Sequence, residues 1–365
     1  MNPEDRAQKK IEDLEKRVRT HPQDGEQFVA LCRAYMFAGR HLQAADALEA
    51  RIGAGPPSWD LVELVCEACR RGGRADRAGE FLQRWEREFG TAGSYWTLRG
   101  QMLEEENRFE EAQSAHRRAV ALDPQNAEAH FRLGATLMKA QRDQEAIEMF
   151  ERCLELEPAM TKAQINVGVL LDQLGQPEKA IEAFRRAIEG NPKSVESHCN
   201  LGAAYGDMGR KKDAIAEFRR ALHIDPECAL AHFNLGVALM DDSPEESMSS
   251  LKRAQAIDPG NWDINYNLGL IYFRKGMYDA AAKLLQQCVQ ARPDSARALY
   301  YLGMTHNKKD QPGLAIECLD RVLQLEPDNS RAHFYLGVAY DKKGQFDKAR
   351  DCYQAADRLG GGIAL

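Results

Sequence analysis

The chain has 365 residues, of which 29% are charged and 44% hydrophobic, and its formal net charge is -7 at pH 7. That balance argues against nucleic acid as a partner, and no apolar run reaches the roughly 18 residues needed to cross a membrane, so no membrane insertion is expected. Nine cysteines, an odd number without framework spacing, point to a reducing compartment and hence to a soluble cytoplasmic protein.

The first residues, MNPEDRAQKKIEDLEKRVRT, are charged and lack an apolar h-region, so no secretory signal is expected. The segment QKKIEDLEKRVRTHPQD reads as one helix closing at Pro22. From there prolines recur at Pro22, Pro56, Pro124, Pro158, Pro192, Pro226, Pro259, Pro293 and Pro327. Their spacings are 34 or 33 residues, apart from one of 68 in which Gly90 takes the skipped slot. Gly134, Gly168, Gly202, Gly236, Gly269, Gly303 and Gly337 keep the same beat. Ala146, Ala180, Ala214 and Ala281 recur between them, followed by Phe150, Phe184 and Phe218. A fixed period of this size is the mark of a repeat architecture.

Units such as AHFRLGATLMKAQRDQEAIEMFERCLELEP and SHCNLGAAYGDMGRKKDAIAEFRRALHIDP resemble tetratricopeptide repeats, and the resemblance covers nearly the entire chain. It implies two antiparallel helices per unit, A and B. With the helix A glycine numbered position 8 and the closing proline position 32, small residues at positions 8, 20 and 27 mark close helix crossings. The expected fold is all-α, an α-solenoid in which a right-handed superhelix of about ten hairpins follows one extra helix. Position 8 falls on Cys32, Cys66, Gly100, Gly134, Gly168, Gly202, Gly236, Gly269, Gly303 and Gly337. Divergent units with a leading half-repeat are expected over 1–90, a regular array over 91–359 and a flexible glycine-rich tail over 360–365. Arg99 occupies a usually apolar position 7, which leaves the register of unit three open, and EFGTAGSYW is the weakest joint. Unit seven is one residue short in its turn, MDDSPEES, where Ser243, Pro244 and Glu246 suggest a capping box at the start of helix B.

Asn166, Asn200, Asn234 and Asn267 fall at position 6 of four successive units, at intervals of 34, 34 and 33. At about 100° per residue, positions 4, 7, 8 and 11 form one face of helix A, and positions 2, 6, 9 and 13 form the opposite one. Leu201, Gly202 and Tyr205 place the packed face on the first stripe, so the asparagines lie on the second. In the family helix A lines the concave groove, which implies that the ladder faces it. The carboxamide offers an acceptor and two donors and can match an extended peptide backbone. The ladder is similar to that of the O-linked N-acetylglucosamine transferase family, whose transferase domain is not expected here because the repeats run to the end. Asparagine at this position is also common family consensus.

The same stripe is charged. Asp60, Glu63, Glu67, Glu104 and Glu105 lie in units two and three, and Arg274, Arg297, Lys308, Arg331 and Lys342 in the last three. A partner that is acidic toward the C-terminal end of the groove is expected from that gradient. Lys162, Asn166 and Asn200 fit the first three places of the family's carboxylate clamp, but Leu230 and Asn234 replace its two last cations, so the clamp is incomplete.

CEAC, Cys66 to Cys69, has the spacing of a redox or zinc half-site but falls at packed positions 8 and 11. His130, His198, His232 and His333 recur at position 4, also on the packed face. No metal, no cofactor and no catalytic motif is expected. After Tyr353 and Ala356 no amphipathic helix follows, so part of the last helix B is expected to be exposed, to be covered by self-association, by a partner or by the IAL tail folding back. The resulting expectation is a non-enzymatic scaffold that binds an extended or helical segment of a partner protein in its groove. The alternative is a peptide-responsive regulatory module controlling an enzyme in trans.

Overall fold

The computed structural model describes residues 3–21, 24–52 and 57–360, which contain 22 helices and no strand. The chain forms two compact units, Met1–Gly175 and Gln176–Leu365. The first holds α1 (Pro3–Thr20), α2 (Gly25–Phe37), α3 (His41–Ile52), α4 (Trp59–Arg71), α5 (Ala75–Arg84) and α6 (Glu86–Phe89). It continues with α7 (Gly93–Glu105), α8 (Phe109–Leu122), α9 (Ala127–Lys139), α10 (Asp143–Leu156) and α11 (Thr161–Gln173). The second holds α12 (Pro177–Gly190), α13 (Val195–Asp207), α14 (Lys211–Ile224), α15 (Ala229–Leu239), α16 (Pro244–Ile257) and α17 (Trp262–Arg274). It ends with α18 (Tyr278–Ala291), α19 (Ala296–Lys308), α20 (Pro312–Leu325), α21 (Ser330–Lys342) and α22 (Phe346–Arg358).

The A and B helices start by different means. Most A helices begin on a side-chain cap: Asp24, Asn126, Ser194, Asn261, Ser295 and Asn329 each accept a backbone N–H of the first turn. The B helices have no such cap. Instead the residue just before the helix donates its backbone N–H to the position 11 carbonyl of the preceding A helix, as in Arg74 to Cys69 at 2.9 Å and Arg210 to Tyr205 at 2.8 Å. A B helix such as α5 or α14 is therefore started by its neighbour. The turn between them needs a left-handed residue at position 15. Gly209, with φ 72°, supplies it in unit six at no steric cost.

Within a hairpin such as α13 with α14 the helices cross closely at position 8. A Cβ on Gly202 would stand 2.5 Å from the Phe218 ring, so glycine is what lets the ring lie across α13. Ala214 and Ala221, at positions 20 and 27, are almost wholly buried on either side of that ring. Each such aromatic, fully buried, contributes about 1.5–3 kcal/mol through removal of apolar surface from water. Each B helix then packs on the next A helix, α8 on α9 in the first unit and α14 on α15 in the second. The A helices also touch one another, α7 with α9, and α13 with α15.

Unit three keeps its register. Gly100 lies against the His116 ring, and the half-buried Arg99 reaches over Gly79, donating to its carbonyl at 3.3 Å. At the joint, helix B breaks at Trp85 into α5 and the short α6, and Trp96 Nε1 donates to the Gly90 carbonyl at 2.7 Å.

One expectation is corrected. The capping box of unit seven does not form, because Ser243 makes no side-chain cap hydrogen bond. Its N–H donates to Leu239 O at 2.9 Å, and Glu246 instead accepts from Arg219 at 2.7 Å. Pro244 does occupy the first turn of α16. The outer face of α22 is exposed in part, and it carries charge. Ile316 and Leu323 of α20, which pack against the core, have Arg350 and Asp357 as their counterparts one repeat later, and both are exposed. Residues 361–365 of the expected tail lie outside the described residues.

Candidate functional site on the A helices

Asn166 is half-buried on α11 in the first unit. Asn200, Asn234 and Asn267 are half-buried on α13, α15 and α17 in the second. The same depth at the same position follows from the helical phase, since position 6 lies off the packed stripe. The amides of Asn166, Asn200 and Asn234 make no hydrogen bond to another described residue. Asn267 differs. Its Nδ2 donates to the Asp263 carbonyl of its own helix at 2.8 Å, which removes a donor from any ligand.

The five C-terminal cations divide in the same way. Arg274 is committed to Asp241 at 2.7 Å, and Lys342 to the Asn307 carbonyl at 2.7 Å and Asp310 at 3.0 Å. These bonds tie an A helix to the unit before it. Arg297, Lys308 and Arg331 are exposed and form no ion pair with another described residue, and in the first unit the exposed Lys162 is the same. The acidic stripe is largely engaged too. Glu67 pairs with Arg71 at 2.6 Å, and Glu105 accepts from Arg70 Nε at 2.8 Å. Glu104 accepts from the Thr136 hydroxyl at 3.0 Å and lies 3.6 Å from His116. Burial pushes the Glu104 carboxyl up, but the His116 ring, that hydroxyl and the charge of Lys139 outweigh it and hold it below its usual range.

Sequence reasoning missed two apolar members of the stripe. Leu230 and Val237 on α15 are 53% and 41% exposed, and they flank Asn234 at positions 2 and 9. Leu230 had registered only as an absent clamp cation, although the same helical phase places it beside the amide.

The cysteine and histidine series are structural. Cys66 and Cys69 are fully buried. Burial pushes the Cys69 thiol up to about 11 and raises that of Cys66 as well, which leaves both far from a reactive thiolate. Among the described residues no group of three or more His, Cys, Asp or Glu is placed to hold a metal. The histidines do more than fill space. His130, His198, His232 and His333 each direct Nε2 at the carbonyl of the proline six residues earlier, at 3.1, 3.3, 3.0 and 3.0 Å. Asn265 takes over this role in unit eight, with Nδ2 3.0 Å from the Pro259 carbonyl. The shared feature of these five units is an N–H donor at position 4. At His198 the second ring nitrogen meets Glu217 Oε2 at 2.7 Å, so both nitrogens face acceptors. Glu217 is also bonded to Arg220. No described helix is long and apolar enough to cross a membrane.

Comparison with known proteins fits this geometry. A tetratricopeptide repeat family matches residues 29–92, 199–262 and 308–362, half of the chain. A second tetratricopeptide repeat family matches 238–303, and the middle TPR-like domain of cilia and flagella-associated protein 70 matches 98–219. Among solved structures the chain is 25% identical to MamA, over 48% of this chain and 98% of that one, with a TM-score of 0.43. It is 24% identical to YrrB, described as a TPR protein with an unusual peptide-binding site, over 51% and 96% with a TM-score of 0.45. It is 22% identical to pilF of Pseudomonas aeruginosa, over 55% and 92% with a TM-score of 0.49. No curated protein matches it.

Proposed function

This chain belongs to the tetratricopeptide repeat family, and from that premise we propose that it is a non-enzymatic scaffold gripping an extended segment of a partner protein on the exposed stripe of its A helices. The observation that carries the reading is the surface of α13 and α15. There the unengaged amides of Asn200 and Asn234 lie at the same position of successive units, with the exposed Leu230 and Val237 beside the second. Amides can pair with a peptide backbone whatever its sequence, and the apolar pair would take alternate side chains. Asn166 and Lys162 on α11 offer the same chemistry in the first unit. Arg297, Lys308 and Arg331, free of ion pairs with other described residues, would favour acidic side chains near the last units.

The test is recovery of partners on immobilised protein, wild type against Asn200→Ala/Asn234→Ala, with thermal unfolding as the control for folding. Recovery is expected to fall about tenfold or more, since two or three hydrogen bonds of about 1 kcal/mol are lost. Asn267→Ala is expected to cost far less, because its amide is already bonded to its own helix. Unchanged recovery from the double variant with its fold intact would sink the proposal.

A further inference from the structure

In a complete hairpin, helix B presents positions 20, 24 and 27 to its own helix A. In α10 these are Ala146, Phe150 and Cys153, and in α14 Ala214, Phe218 and Ala221, all buried. Among the described residues α1 packs on α2 as a helix B packs on the next helix A. Counted back from position 32 at Pro22, its corresponding residues are Lys10, Leu14 and Arg17. A groove of about 1100 Å³ lies along that side, lined by residues of α1 and α2 alone.

The groove has the walls that a helix A occupies elsewhere in this chain. Helices α7, α8 and α9 touch one another in all three pairs, so a helix A rests on its own helix B and on the next helix A. The pair α1 and α2 supplies two of those three members. Nor can α1 roll over to fill the space. Its Ile11 is already buried, Tyr35 donates to Glu15 at 2.7 Å, and Arg40 donates to Gln8 at 2.7 Å.

The floor is apolar and the rim cationic. Leu14, Val29 and Ala34 are half-buried along it, and Phe37 at the end of α2 is 87% exposed. Arg6, Lys10 and Arg33 stand around it, exposed and without an ion pair to another described residue, against the single carboxylate of Glu26. Lys10, where helices in close contact carry alanine, would keep a visiting helix slightly off α1 and set an ammonium beside its flank. We propose that this slot docks one amphipathic helix of a partner protein, apolar toward Leu14, Val29 and Phe37 and acidic on both flanks. The inference is independent of the asparagine stripe.

A labelled synthetic helix with leucines at i, i+3, i+4 and i+7 flanked by glutamates tests it, against the same leucines flanked by lysines. Binding to the full chain is read by fluorescence anisotropy. The glutamate helix should bind saturably and at least about tenfold tighter than the lysine helix. Arg6→Glu/Lys10→Glu/Arg33→Glu should abolish that preference, and Phe37→Ala should weaken binding about tenfold with unchanged melting, since all four side chains are exposed. Equal affinity for the two helices, saturable binding of neither, or indifference to Phe37→Ala would overturn the proposal. Dodecanoate binding where neither helix binds would make the groove an acyl site instead. A concentration-dependent dimer in sedimentation, lost in Phe37→Ala, would assign it to a second copy of the chain.

Discussion

Asn107, Gln141 and Asp310 stand in the left-handed turn with φ of 61°, 57° and 56°, where six other turns use glycine: Gly39, Gly73, Gly175, Gly209, Gly276 and Gly344. A side chain there costs about 1–2 kcal/mol for most residues, less for Asn and Asp, whose short polar groups tolerate the conformation. Gln141 has no such excuse and is exposed. Gln141→Gly should therefore stabilise the fold by about 0.5–1 kcal/mol after the entropy of the freer unfolded chain is subtracted, read as a rise in thermal midpoint. Asn107→Gly should gain less. Glu104 supplies a prediction in pH. Its folded carboxyl titrates below its unfolded value of 4.5, so its contribution is complete above that value and is lost as pH falls through the lower folded one. Glu104→Gln should thus melt with a shallower dependence on pH between about 3 and 6 than wild type, with the difference shrinking at the acid end. An unchanged slope would remove Glu104 from the acid response.

The elements show why some local signals mislead. SPEE at the start of α16 has the composition of a capping box, and in an isolated helix Ser243 would be worth about 1 kcal/mol as a cap. In the hairpin the start of helix B is set by the helix before it, whose position 11 carbonyl captures the first N–H. Unit seven keeps that bond even though its turn has lost a residue. Ser243→Ala should accordingly cost less than about 0.5 kcal/mol in urea unfolding, and a full cap penalty would show that the side chain matters after all. The hairpins themselves were legible from Gly202, Ala214 and Phe218, because close helix crossing admits few residue types. The state of Asn267 was not, because a back-bond to position 2 of the same helix leaves no trace in spacing.

At the scale of the whole molecule, the polar substitutions on α22 bear on self-association. With Arg350 and Asp357 exposed where α20 carries Ile316 and Leu323, the outer face offers Phe346 and Leu359 as its large exposed apolar side chains among the described residues. That is too little apolar area for a stable interface, which buries about 800 Å² per partner. Phe346→Glu should therefore leave the sedimentation behaviour at tens of micromolar unchanged, and a dimer that dissociates on that change would overturn this reading. By itself the sequence determined the period, the helical class, the packed stripe and the position of each asparagine, since those follow from residue spacing on a helix of known pitch. Only the tertiary structure decided which of those groups are spent. Arg274 and Lys342 went to neighbouring units, the position 4 histidines to proline carbonyls, and Lys10 and Phe37 were left bare beside α1. For Arg274 and Lys342 the physical reason is that the bonds join residues 32 to 35 apart, a distance over which spacing fixes the face but not the partner.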